Sequence, residues 1–284
     1  LLKRGHVLTV FESFILGLIQ GFAEFLPISS SGHLALMENW LGFSGSEAVS
    51  VTVLLHLGTL ISVLVVFRHE VWDLIKELFK LLGEIFTGKG FHLRKNDTRK
   101  LGIMIIIATI PAAIVGYLLD KKIEEVFSVI MYIGCCFIIT AILLFVAERV
   151  GKGRRDLDKA NFRNSLVVGL FQAVAILPGI SRSGSCIVGG LLLGFTRELA
   201  VKFAFLISIP AVLGAVVLNI PTAIKEGFGG SLLLPGLFGM LVAAISGYLA
   251  IKLMLKVVTG KKLYIFSIYT MALGIATIVI SIMG

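Results

Sequence analysis

The sequence predicts an all-α polytopic membrane protein, an inverted-topology repeat of six transmembrane helices plus two re-entrant helix-loop-helix hairpins. Three observations lead there. The 284 residues are 57% hydrophobic and only 15% charged, with a mean hydropathy of +1.00, which lies outside the range of soluble domains. Six apolar runs reach the length of about 20 residues that a helix needs to cross roughly 30 Å of hydrocarbon. They are continuous rather than alternating with period two, so a barrel fits poorly. Finally, Leu26-Pro27-Ile28-Ser29-Ser30-Ser31-Gly32-His33 is echoed 152 residues later by Pro178-Gly179-Ile180-Ser181-Arg182-Ser183-Gly184-Ser185. Over 17–34 against 169–186 the identities are Gly17/Gly169, Leu18/Leu170, Gln20/Gln172, Ala23/Ala175, Ile28/Ile180, Ser29/Ser181, Ser31/Ser183 and Gly32/Gly184, which marks an internal duplication.

In chain order, 7–42 is too interrupted for two clean crossings, because Pro27 cannot donate to a helix ladder and Gly32 permits close backbone approach. It reads as the first broken hairpin, and no small-residue cleavage site makes it a removable leader. A span follows at 48–67. In the next loop, 71–86 sets Trp72, Leu74, Ile75, Leu78, Phe79 and Leu82 among Lys and Glu, the pattern of an amphipathic helix lying on the membrane face. Spans at 101–119 and 128–147 complete a first repeat of about 7–147. The second, about 165–283, repeats the order: a hairpin at 165–193 broken by Pro178, Gly179 and Gly184, then spans at 201–220, 231–251 and 263–283. The whole of 1–284 forms one integral membrane domain.

Loop charge sets the orientation. Loops 68–100, 148–164 and 252–262 carry eight, six and four Lys or Arg, against two in 120–127 and one in 219–230. The first three are assigned to the cytoplasm by the positive-inside rule, and both termini then fall outside. Followed outward from those loops, the first hairpin starts and ends outside and the second starts and ends inside, which inverts the two halves. Such repeats place binding sites near the midplane, where broken helices expose backbone groups. The net charge of +9 is accounted for by these loops, so nucleic acid is not a partner. Cys135, Cys136 and Cys186 lack metal-type spacing and read as packing residues.

Gln20 and Glu24 are four apart and share a helix face. Ionised groups at the bilayer centre cost about 2.5 to 3.5 kcal/mol even on lenient insertion scales, so they face cavities and have partners. A cation is the partner expected for Glu24. Arg182 is the one basic residue set at comparable depth, and its planar fork suits a pair of phosphate oxygens. Serine hydroxyls and amides at a helix start also hold phosphate. One acid, one imidazole, one guanidinium and several hydroxyls on two facing loops are the parts for phosphoryl transfer. Ser31, Ser183 and Ser185 read equally as groups bonding the preceding turn. His56 and Glu12 read as structural or interfacial, and Glu38 and Glu198 as solvated helix ends.

The two motifs together resemble the undecaprenyl pyrophosphate phosphatase family, also called the bacitracin-resistance family, over nearly the whole chain. Gln20, Glu24, Pro27, Ser29, Ser30, Gly32 and His33 match its first signature; Pro178, Gly179, Ser181, Arg182, Ser183 and Gly184 match its second. The resemblance implies removal of the terminal phosphate from a C55 prenyl diphosphate at the outer face of the bacterial plasma membrane, recycling the cell-wall lipid carrier. It implies that Glu24 holds a divalent cation such as Mg²⁺ or Ca²⁺, that Ser30 is a candidate nucleophile, that His33 is a candidate acid, base or alternative nucleophile, and that Arg182 clamps the diphosphate. Gln20, Ser29, Ser181, Ser183 and Gly184 are assigned to substrate. Partners are the prenyl diphosphate and membrane lipids, with a homodimer left open. Gln20 departs from the Glu of many members, and Cys186 from a frequent Thr. Ser31-Gly32-His33 also resembles the acid-phosphatase-like lipid phosphatases, but those require a histidine soon after their arginine. Arg182 is followed by Ser183, Gly184, Ser185, Cys186, Ile187 and Val188, so that assignment is rejected. The rival class is a prenyl phosphate flippase, since paired broken helices also serve alternating access.

Overall fold

The computed structural model describes residues 8–42, 46–87, 95–127, 129–151, 153–226 and 232–283. These form eleven helices and no strand: α1 (Val10–Phe25), α2 (Ser30–Leu41), α3 (Ser46–Val66), α4 (Arg68–Phe86), α5 (Asp97–Phe127), α6 (Ile130–Val150), α7 (Phe162–Val174), α8 (Arg182–Leu192), α9 (Arg197–Glu226), α10 (Leu233–Thr259) and α11 (Tyr264–Met283). Six of them, α3, α5, α6, α9, α10 and α11, are long and apolar enough to cross a bilayer, and these are the six expected spans. The helices of the second hairpin behave differently. At 1.5 Å per residue, α7 and α8 are only about 20 and 16 Å long, too short for a crossing. Each hairpin breaks where the prolines fall: α1 ends at Phe25 ahead of Pro27, and α7 ends at Val174 ahead of Pro178.

Two helices run further than their hydropathy suggested. Segments 120–127 and 219–226 read as loops, yet α5 stays helical to Phe127 and α9 to Glu226. Loss of hydropathy marks where lipid ends, whereas α5 continues through Lys121, Lys122, Glu124 and Glu125, which propagate a helix well, and α9 runs on past Pro221. Thus span boundaries and helix boundaries separate.

The surface identifies the solvent. On α5, Ile106, Ile110, Ile114 and Leu118 are 58%, 48%, 52% and 68% exposed, and on α10 Leu241, Ile245, Leu249 and Leu253 repeat the same four-residue stripe. Such apolar stripes on the outside are tolerated when the medium is hydrocarbon. The interior holds Met104, Leu144, Val168, Ile187, Phe203 and Met254, together with hydroxyls that bond across helices: Ser62 donates to Ala244 O at 2.7 Å and Ser267 to Ala141 O at 2.7 Å.

Helix pairing crosses between the halves. In the first hairpin α1 packs on α10, in the second α7 packs on α5, while α3 meets α9 and α6 meets α11. Close approach of α1 to α10 depends on small residues. A Cβ at Gly21 would stand 2.6 Å from Ala243 O and 2.8 Å from Gly247 N.

The amphipathic helix expected at 71–86 is present as α4. Trp72, Leu78, Phe79 and Phe86 are exposed on it, and its polar side is tied to α5. Arg99, itself buried, donates to Glu77 and Glu84 at 2.7 Å each, and Lys95 donates to Glu84 at 2.5 Å. Arg99 and Lys95 hold the Glu84 carboxyl down to about 2. These contacts anchor α4 and lie apart from the hairpin loops.

Candidate active site

The tips of the two hairpins meet. Ser183 of the second loop donates to Leu26 O of the first at 3.1 Å, and a Cβ at Gly184 would lie 3.1 Å from Pro27 Cβ. A Cβ at Gly32 would lie 2.6 Å from Phe137 Cζ and 2.9 Å from Gly179 Cα, so only glycine lets the loops come this near. Replacing Gly32 with Ala should therefore separate the loops; a fall in thermal stability of about 1–3 kcal/mol, measured in detergent, is expected together with reduced turnover. Thr140 of α6 braces the second loop from below, donating to Gly179 O at 2.9 Å and accepting from Ser181 N at 3.1 Å.

Both loops end in the same device. Ser29 caps α2, accepting from Gly32 N at 3.3 Å, and Ser181 caps α8, accepting from Gly184 N at 3.1 Å. The flanking hydroxyls repeat too, with Ser29–Ser31 at 3.3 Å and Ser181–Ser183 at 3.2 Å. Thus the duplicated Ser-x-Ser-Gly is a helix-starting motif, and its two copies aim two helix N-termini at one region. Helix N-termini favour anions through their first-turn amides and dipole. Ser29 reaches its position at φ 69°, the left-handed region that costs a non-glycine residue of order 1–3 kcal/mol.

The charged groups converge on Glu24, which is 6% exposed. Arg182, the first residue of α8, donates through Nη2 to Glu24 Oε1, and its Nη1 reaches Ser208 O at 3.4 Å. Gln20 Nε2 donates to Glu24 Oε2 at 3.1 Å, and Ser30 Oγ donates to the same oxygen at 2.5 Å. Gln20 Oε1 is buried with no hydrogen-bond partner. A buried amide oxygen left open is costly in a protein that satisfies nearly all such groups. It therefore marks a place where a positive or donor group fits.

His33 stands one helical turn beyond Ser29. Its Nδ1 donates to Ser29 O at 2.7 Å, and its ring is bordered by Phe137 edge-on at 5.2 Å and by Tyr269 stacked at 5.8 Å. Among the described residues its hydrogen bonds go to Ser29 O and the Tyr269 hydroxyl, and Ser30 turns to Glu24 instead. His56, read from sequence as structural or interfacial, donates to Thr52 O at 2.8 Å and lies within electrostatic reach of Glu24. Cys186 packs inside the second hairpin, 3.9 Å from Gln172 Oε1.

So the structure brings Gln20, Glu24, Ser30 and Arg182 into direct contact, sets His33 in the first turn of α2 with its ring bonded to Ser29 O and Tyr269, and gives Ser29, Ser181, Ser183 and Gly184 positions at the two helix starts. Sequence reasoning missed Tyr269, Phe137, Thr140 and Ser208. All sit in apolar spans where one hydroxyl or ring carries no local signal.

The chain is also similar to known proteins. The family model described as bacitracin resistance protein BacA matches residues 13–276. Curated relatives include the undecaprenyl-diphosphatases of Alkaliphilus metalliredigens, 42% identical over 276 residues, covering 97% of this chain and 100% of that protein, and of Carboxydothermus hydrogenoformans, 38% identical over 276 residues, covering 96% and 98%. A third, from Methanosphaera stadtmanae, is 37% identical over 279 residues, covering 97% and 99%.

Proposed function

The chain belongs to the bacitracin resistance protein BacA family, and on that premise we propose that it is an integral membrane phosphatase that hydrolyses undecaprenyl diphosphate to the monophosphate and phosphate. The observation that carries the reading is the Glu24–Arg182 contact between two opposed helix N-termini, with Ser30 on the other carboxylate oxygen. Phosphoryl transfer asks a protein chiefly for position and charge neutralisation. Arg182 and the first turns of α2 and α8 supply positive potential for the diphosphate. Ser30 then attacks the terminal phosphorus, its proton passing to Glu24, and the prenyl monophosphate leaves. His33, whose unprotonated Nε2 accepts from the Tyr269 hydroxyl at 2.8 Å before substrate arrives, takes the proton from the water that releases phosphate from Ser30 once that nitrogen is given up.

A divalent cation fits the residues present. No cluster of three or more His, Cys, Asp or Glu suited to a metal occurs among the described residues, yet Mg²⁺ in such sites needs only one or two protein ligands and completes its shell with phosphate and water. Gln20 Oε1, unpartnered, and the spare acceptor capacity of Glu24 Oε1 are the groups that would hold it. Bound there, it would neutralise charge on the diphosphate.

The same reading extends to topology. The crossed pairing of α1 with α10 and α7 with α5, together with the loop charges, supports two inverted repeats in one domain, with both termini and the site on the outer side of the plasma membrane. A prenyl phosphate flippase would use the same paired hairpins. Detergent solution separates the two, because it abolishes the compartments that transport requires. Purified protein given undecaprenyl diphosphate should release phosphate, and a chelator should suppress release at least ~10²-fold, in the range expected for loss of an electrostatic stabiliser. No release from folded protein would favour the flippase.

A further inference from the structure

Tyr269 has no part in either loop motif, yet among the described residues it makes the one long-range hydrogen bond of His33. The reasoning starts from the tautomer. His33 Nδ1 faces Ser29 O at 2.7 Å, and a carbonyl can only accept, so Nδ1 carries the proton. In the neutral ring Nε2 is then the acceptor. Tyr269 Oη lies 2.8 Å from that nitrogen and donates to its lone pair. The two rings are nearly parallel, 7° apart with centroids at 5.8 Å, and Phe137 closes a third side edge-on. Tyr269 arrives from α11, 236 residues further along the chain, and is 45% exposed, so it is not locked in the packed interior.

We propose that Tyr269 is a positioning residue that holds the His33 imidazole by its Nε2 lone pair and yields that nitrogen to the hydroxyl or water presented with a bound diphosphate. The contact selects the ring orientation in which Nε2, not Nδ1, is the working nitrogen. It rests on the phosphatase reading for its role in turnover, while the contact itself stands independently of any activity.

The test uses full-length protein in detergent carrying Tyr269→Phe, which keeps the ring stack and removes only the hydroxyl. Two readouts are taken. The first is the rate at which diethyl pyrocarbonate, which needs a free imidazole lone pair, modifies the His33 peptide by mass spectrometry. The second is steady-state phosphate release. Loss of the hydroxyl should speed His33 modification several-fold and lower kcat about tenfold, the weight of one hydrogen bond, with KM unchanged because a positioning hydroxyl acts through His33. Tyr264→Phe, on the same helix, should alter neither. A His33 modification rate left at its wild-type value overturns the contact, and faster modification with unchanged kcat overturns the positioning role. Wild-type protein that releases no phosphate defeats the phosphatase reading instead, and the modification rates still decide the contact.

Discussion

Glu24→Gln is expected to reduce phosphate release at least ~10³-fold, the scale of removing a charged group that acts on the transition state. The carboxylate joins three partners: Arg182 at Oε1, and Gln20 and Ser30 at Oε2. Glutamine has nearly the same shape but offers an NH₂ group at one of those positions. Turned towards Arg182, that group sets donor against donor; turned towards Ser30, it removes the base for the nucleophile. The amide also withdraws the charge that a cation beside Gln20 Oε1 would need. Measured by phosphate release, with thermal unfolding in detergent as the folding control, turnover within tenfold of wild type would remove Glu24 from the chemistry.

Arg182→Lys should lower kcat/KM by about 10²-fold and leave insertion and yield near wild type. The substitution keeps the charge, so it does not strand Glu24 as an unpaired buried carboxylate, a change that typically costs 3–5 kcal/mol. What it removes is the fork. Arg182 engages Glu24 with one terminal nitrogen while the other lies at Ser208 O, and that second contact holds the guanidinium plane across the gap between the loops. A lysine ammonium is a point charge on a flexible stem and cannot hold both at once or present two parallel donors to a phosphate. Because Glu24 and Arg182 touch, the double variant should lose less than the sum of the two single losses. Near-normal kcat/KM in the lysine variant, or additive losses in the double one, would rule out the clamp.

The duplication explains why part of the site was legible and part was not. Positions identical between the halves, Ser29/Ser181, Ser31/Ser183 and Gly32/Gly184, prove to be the helix cap and the close loop crossing, the same in both hairpins. The chemically distinctive positions are those where the halves differ: Glu24 stands opposite Ile176, Ser30 opposite Arg182 and His33 opposite Ser185. Repetition therefore pointed to the frame, while divergence supplied the asymmetry that puts an acid and a hydroxyl on one loop and a guanidinium on the other. Glu24 and Arg182 were conspicuous without coordinates because charge in an apolar setting is costly. His56 was set aside as structural, because nothing local reveals that α3 brings it near Glu24.

By itself the sequence determined the six crossings, the two breaks and the charged residues that need partners. Each follows from a rule that acts over one or two helical turns: hydrocarbon thickness, proline's missing donor, the cost of a buried charge. Only the tertiary structure decided which partners those are. It turned Ser30 to Glu24 rather than His33, gave His33 a tyrosine from α11, and ran α5 and α9 on as helix past their apolar stretches. Contacts across 158 and 236 residues are set by how small residues let helices approach and rotate against one another, and that geometry is a property of pairs of helices, which no single segment carries.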